Sequence, residues 1–188
     1  MPSGRTRSLV TAALIAALLS ASAYLTIPTQ PVPVTLQVFV VLLAALLLGP
    51  GWAGAAVGAY LLLGAAGVPV FSGPAGGIGV LVGPRAGYLF GFLAAAVLGS
   101  AVRSALARRH RGAADAAACV VAILVVYALG WGVLTAVSGM TPAAAFTAGV
   151  VPFVPLDVVK AFAAVAVAAG VRRALPTPGT TAQAMRQA

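Results

Sequence analysis

Acidic residues number two in a chain of 188, histidine and cysteine one each, and charged residues of either sign make up only 7%. Each scarcity removes a class of chemistry. Soluble domains carry about 25% charged and about 45–50% apolar residues, so a chain that is 62% hydrophobic cannot have water as its main solvent. Cys119 is alone, which excludes a disulfide or thiolate metal site within one chain; it reads as a small buried apolar side chain. His110, in Arg108-Arg109-His110-Arg111, reads as a solvated loop residue. Ser72 therefore has no histidine to activate it, which disfavours a serine hydrolase. The two acids, Asp115 and Asp157, fall at opposite ends of apolar runs, so no carboxylate cluster is available for a divalent cation. The glycine-rich stretch Gly73-Pro74-Ala75-Gly76-Gly77-Ile78-Gly79 lacks the Gly-Lys-Ser/Thr that completes a phosphate loop. No enzymatic activity, metal site or cofactor of its own is expected of this chain.

Eleven Lys and Arg give a formal net charge of +9, which in a soluble protein would suggest nucleic acid. Here the basic residues mostly flank apolar runs. Arg5 and Arg7 precede the first, Arg103, Arg108, Arg109 and Arg111 separate two later ones, and Arg172 and Arg173 follow the last. The lipid bilayer, not nucleic acid, is the expected partner.

Six apolar runs stand near residues 8–25, 35–48, 53–66, 87–102, 116–137 and 149–171, separated by Pro, Gly and Arg. With about 20 apolar residues needed to cross a bilayer, they predict an all-α integral membrane protein of six transmembrane helices. Residues 1–175 would form a single membrane domain and 176–188 a C-terminal tail. Under the positive-inside rule both termini and the Arg103–Arg111 loop lie in the cytoplasm. Ala21-Ser22-Ala23 after the first run imitates a signal-cleavage pattern, but the run leads straight into further spans and is expected to be retained. On that first run Ala13, Ala17 and Ala21 form one small-residue row and Ala12, Ala16 and Ser20 another. Such rows let a second helix approach closely, either from a partner or from the chain's own bundle.

Ionisable residues within spans are costly and need a partner or a purpose. Asp157 and Lys160 are three apart, hence on one helix face, and Pro155 marks the expected start of the last helix. Fifteen residues separate Asp157 from Arg172, about 22 Å at about 1.5 Å per residue, which places the pair in the outer part of a hydrocarbon core of about 30 Å. Arg85 falls at the same depth, at the start of the fourth span. The connection before it combines Gly and Pro with Phe71, Ile78, Val80, Leu81 and Val82, too apolar for a free loop. It reads as a segment folded back over the bundle, or as a structural turn with Arg85 snorkelling to the interface. Gln37, Tyr60 and Tyr88 can add amide and phenol groups to a site there.

Three stretches then carry a family resemblance: Pro31-Val32-Pro33-Val34-Thr35-Leu36-Gln37; Tyr60 through Gly73, ending Val68-Pro69-Val70-Phe71-Ser72-Gly73; and Gly83-Pro84-Arg85-Ala86-Gly87-Tyr88-Leu89-Phe90-Gly91-Phe92. With Val151-Pro152-Phe153-Val154-Pro155-Leu156-Asp157-Val158-Val159-Lys160-Ala161, the chain resembles the BioY family over about residues 8–175. These are the biotin-binding S components of energy-coupling-factor (ECF) transporters. Arg85, where a small residue often stands, and Leu156, where a glycine often stands, depart from the family pattern.

The resemblance implies a six-helix S component in the cell membrane of a bacterium, capturing biotin near the outer face. Its partners would be a transmembrane coupling subunit and two ABC-type ATPases, which use the ATP. Asp157, Lys160, Arg85, Tyr88, Gln37, Tyr60, Phe71 and Gly73 are the implied ligand-binding residues. Ala12, Ala13, Ala16, Ala17 and Ala21 are the implied coupling-subunit interface. Open alternatives are an S component or stand-alone carrier for another small anionic vitamin, and a structural membrane protein in which Asp157 and Lys160 merely pair. One acid with two bases favours an anionic ligand.

Overall fold

The computed structural model describes residues 4–107 and 110–174. Helix α1 (Gly4–Ser22) leads into a hairpin of two-residue strands, β1 (Thr26–Ile27) and β2 (Val34–Thr35), followed by α2 (Gln37–Leu47) and α3 (Pro50–Ala65). A one-turn helix α4 (Ile78–Leu81) interrupts the glycine-rich connection. Then come α5 (Ala86–Leu106), α6 (Arg111–Ser138), α7 (Pro142–Gly149) and α8 (Val154–Ala174).

By length and composition, three of these, α5, α6 and α8, are able to cross a bilayer. The apolar helices α2 and α3 have 11 and 16 residues, short of the usual span. The all-helical expectation is modified by the hairpin, which pairs Thr26 with Thr35 and Ile27 with Val34. Pro28, Pro31 and Pro33 between the strands cannot continue a helix.

The last helix starts beside Pro155, as expected, but a further short helix precedes it. Residues 142–149, read from sequence as a connection, form α7, and the last helix begins at Val154. Thr141 caps α7 by accepting the Ala144 N–H at 3.3 Å, with Pro142 in the first turn. Pro155 occupies the first turn of α8.

Helix α2 is the hub. Val41, Leu42, Ala44, Ala45 and Leu46 are fully buried, and α2 packs on α1, α3, α5, α6 and α8. A helix that is apolar all round belongs at a bundle centre. α5 and α6 make the most extensive pairing, drawn together where Gly87 faces the Leu129 backbone with no room for a Cβ. Away from the core, Leu14, Leu18, Leu62, Val159 and Phe162 lie exposed, as suits side chains whose solvent is lipid.

At one end of the bundle Asp115 is buried on α6 and accepts from Arg103 Nε at 2.8 Å and Arg172 Nη2 at 2.5 Å. Arg172 Nη1 also donates to the Leu46 carbonyl at 3.3 Å. The cations sit in the last turns of α5 and α8, where the helix dipole favours them. Residues that read from sequence as loop and end charges thus clasp α2, α5, α6 and α8 together. Cys119 is buried, as expected.

The two alanine rows of α1 part company. Ala12 and Ala16 are buried in the chain's own fold, whereas Ala13, Ala17 and Ala21 are exposed. Ala12 and Ala16 are therefore corrected as candidates for a partner surface, because the α1 face that carries them packs within the bundle.

Candidate ligand-binding site

Asp157 lies in the first turn of α8, its N–H bonded to the Phe153 carbonyl at 2.8 Å. Its side chain is only 1% exposed, beside Lys160 at 12%. A buried carboxylate survives only if it is paired and hydrogen-bonded, and both conditions are met. Lys160 Nζ donates to Oδ1 at 2.7 Å and Tyr127 OH donates to Oδ2 at 2.7 Å. Lys160 Nζ also donates to the Thr35 carbonyl at 2.8 Å, fastening α8 to the hairpin. An ionised carboxylate offers about four acceptor positions, so Asp157 retains capacity for a further donor.

The hairpin continues the network inward. Thr35 Oγ1 donates to Gln37 Oε1 at 3.2 Å, and Gln37 Nε2 donates to Tyr60 OH at 2.6 Å. Tyr60 is fully buried and meets Phe71 edge to face at 5.5 Å between centroids. Phe71 comes from the glycine-rich connection, anchored by a backbone pairing with Ala75. Its ring lies against Gly64, where a Cβ would overlap it. The segment does fold back onto the bundle, with Val70 and Phe71 buried, although Ile78 and Val82 remain exposed.

Arg85 precedes α5 and reaches back to this segment. Its Nη1 donates to the Ser72 carbonyl at 2.9 Å and stands 3.4 Å from Ser72 Oγ. Gly73 makes the adjoining turn at φ 76°. Tyr88 OH donates to the Gly149 carbonyl at 2.7 Å, tying α5 to the end of α7, with its ring 6.4 Å from that of Phe153.

These groups surround one cavity of about 560 Å3, its open mouth included. Of the residues singled out from sequence, Gln37, Phe71, Arg85, Tyr88, Asp157 and Lys160 line it. Tyr60 stands behind the wall as the partner of Gln37. Gly73 shapes the turn beside Arg85 and is not among the lining residues. Arg85 shares the cavity with the ion pair but is held on Ser72.

Sequence reasoning missed Tyr127, Thr35, Ser72 as a hydrogen-bonding partner, and the apolar walls Val32, Val38, Phe92, Val126 and Phe153. A signal for Tyr127 existed, since a phenol inside an apolar run requires a hydrogen-bond partner. The cavity thus offers a buried acceptor with a neighbouring ammonium, a separate guanidinium, and aromatic and aliphatic walls. It suits a small, mostly apolar ligand with polar ends.

Known proteins resemble this chain in both sequence and fold. The BioY family matches residues 1–177. The biotin transporter BioY of Thermotoga maritima is 44% identical over 164 residues, covering 86% of this chain and 94% of that protein. The biotin transporter BioY of Rhodobacter capsulatus is 39% identical over 170 residues, 82% of this chain and 87% of that protein. Among solved structures, the S component for biotin from an ECF-type ABC transporter superposes with a TM-score of 0.83 at 26% identity, covering 92% of this chain and 95% of that one. Relatives and structural neighbour alike are transport proteins, not enzymes. On sequence and fold together, this chain belongs to the BioY family.

Proposed function

We propose that the protein captures biotin in the cavity between α8, the hairpin and the glycine-rich segment, and serves as the substrate-binding S component of a biotin uptake system. The observation that carries this reading is the buried Asp157, held by Lys160 and Tyr127 with acceptor capacity to spare, in the same apolar-walled cavity as Arg85.

Biotin matches the cavity group by group. Its ureido ring has two N–H donors and a carbonyl, its bicycle and side chain are apolar, and it ends in a carboxylate. Asp157 accepts a ureido N–H, and a cation meets the carboxylate through a charge-assisted hydrogen bond. Arg85, Lys160 and Asp157 together carry one net positive charge, which a monoanion neutralises. A purely structural pair would have no use for that surplus.

The same proposal places the chain in a bacterial cell membrane as six membrane-crossing segments, with α2 and α3 shorter than the rest. Both termini and the Arg103–Arg111 connection are cytoplasmic, and the biotin cavity is near the outer face. The positive-inside distribution of arginine supports this orientation. Delivery inward requires a transmembrane coupling subunit and two ABC-type ATPases, which use the ATP; this chain needs no cofactor. The exposed row Ala13, Ala17 and Ala21 offers the coupling subunit a surface for close helix approach.

Uptake of labelled biotin by cells unable to make it tests the proposal. The wild-type chain with its coupling module restores uptake at low external biotin, and Asp157→Asn does not. Uptake of thiamine in place of biotin would assign the cavity to another vitamin.

A further inference from the structure

A second concavity lies between α6 and α8, away from the biotin cavity. Gly112, Ala116, Val120 and Ile123 line it from α6, and Ala161 and Phe162 from α8. It encloses about 670 Å3, its open side included, and its lining is almost wholly apolar. Polar bonds join the two helices to either side: Tyr127 to Asp157 and Arg172 to Asp115. α8 packs far more extensively on α2 than on α6. The helices are thus fastened at two levels and stand apart between them, with Phe162 75% and Val120 57% exposed along the gap.

The Gly112 end of this groove is strongly basic. Arg103 and Arg172 outnumber Asp115 by one charge. Arg111, adjoining Gly112, and Arg173 are exposed and make no ion pair with any described residue. An apolar groove ending in uncompensated cations is complementary to a molecule with a hydrocarbon chain and an anionic head. In a bilayer that molecule is an anionic phospholipid. A second copy of this chain would bring the same positive charge to the contact and be repelled.

We infer that the α6–α8 groove holds an acyl chain of an anionic phospholipid whose phosphate is met by Arg111 and Arg173 at its basic end. The lipid would fill the gap that the two polar ties leave open. The inference requires only that the chain lies in a membrane, and it does not depend on the identity of the transported ligand.

Native mass spectrometry of the purified protein tests it with phosphatidylglycerol and phosphatidylcholine of identical chains, and with inorganic phosphate alone. Phosphatidylglycerol is expected to bind the more tightly, with the preference falling about fivefold for each charge removed in Arg111→Gln and Arg173→Gln. Ala116→Trp, which fills the groove from an exposed position, should reduce retention of both lipids. The thermal unfolding midpoint of each variant, within a few degrees of wild type, serves as the fold control. Equal affinity for the two lipids, or a preference that survives the double glutamine variant, would overturn the inference. So would phosphate binding as tightly as phosphatidylglycerol, which would mark a headgroup site without a groove. If Ala116→Trp leaves lipid retention intact but prevents co-purification with the coupling subunit, the groove belongs to a protein partner and the inference fails.

Discussion

Tyr127 on α6 donates a 2.7 Å hydrogen bond to Oδ2 of Asp157 on α8, across 30 residues of sequence. Because Lys160 holds the other oxygen at 2.7 Å, the carboxylate is fixed from both sides in a cavity that would otherwise exclude its charge. Removing the phenol frees the carboxylate to turn toward Lys160 and misdirects its remaining acceptor positions. Hydrogen bonds to charged groups contribute about 1.5–3 kcal/mol, so Tyr127→Phe should weaken biotin binding by about one to two decades. Isothermal titration of wild type and variant is the check. An unchanged Kd would show that Tyr127 does not orient Asp157 for the ligand.

Lys160 and Asp157 should behave asymmetrically in stability. Lys160→Met leaves a nearly fully buried carboxylate without its cation, and breaking a buried pair from one side costs about 3–5 kcal/mol. Asp157→Asn is milder, because Lys160 keeps the Thr35 carbonyl. The double variant Asp157→Asn/Lys160→Met should regain most of the stability lost in Lys160→Met while binding biotin no better. Thermal unfolding paired with biotin titration reads both properties.

How much of this was legible beforehand differs from residue to residue. The Asp157–Lys160 pair was readable because helical spacing of three is a local relationship and Pro155 marked where the helix starts. Arg85 was expected to converge with the Asp157–Lys160 pair and lines the same cavity, but its bond to the Ser72 carbonyl depends on how a glycine-rich segment folds, which spacing does not determine. Tyr127, a phenol within an apolar run, signalled the need for a hydrogen-bond partner, but that the partner is Asp157 appears only when α6 is laid against α8. The Arg103–Asp115–Arg172 clasp stayed hidden for the same reason. Arg103, Asp115 and Arg172 are 12 and 57 residues apart in sequence and looked like ordinary flanking charges. Helix α7 was overlooked although Thr141-Pro142 is a recognisable helix start, because it follows soon after a long apolar run and reads as its connection.

Gly64 supports Phe71 through its lack of a side chain. Gly64→Ala would force the ring away and with it part of the cavity wall and the edge contact to Tyr60. Overpacking of this kind costs about 1–3 kcal/mol. Both the unfolding temperature and biotin affinity should fall, whereas the nearby exposed Leu63→Ala should leave biotin affinity within about twofold.

The Arg103–Asp115–Arg172 clasp and the cavity should be separable. Asp115→Asn removes the carboxylate shared by Arg103 and Arg172, so the unfolding temperature should drop while biotin affinity stays within about twofold. A parallel loss of affinity would mean that the two ends of the bundle are coupled.

On α1 the two alanine rows predict opposite outcomes. Ala17→Trp enlarges an exposed position and should abolish co-purification with the coupling subunit while leaving biotin binding intact. Ala16→Trp intrudes on a buried position and should lower stability first. Wild-type co-purification of Ala17→Trp would place the partner surface elsewhere.

The most direct test is equilibrium binding of biotin, biotin amide and thiamine to the purified wild-type protein. Biotin should bind in a saturable one-to-one manner, its amide should bind about one to two decades more weakly for want of the charge-assisted contact, and thiamine should not compete. Binding of thiamine without biotin would contradict the assignment of the ligand, and equal affinity for biotin and its amide would contradict a cation meeting the carboxylate inside the cavity.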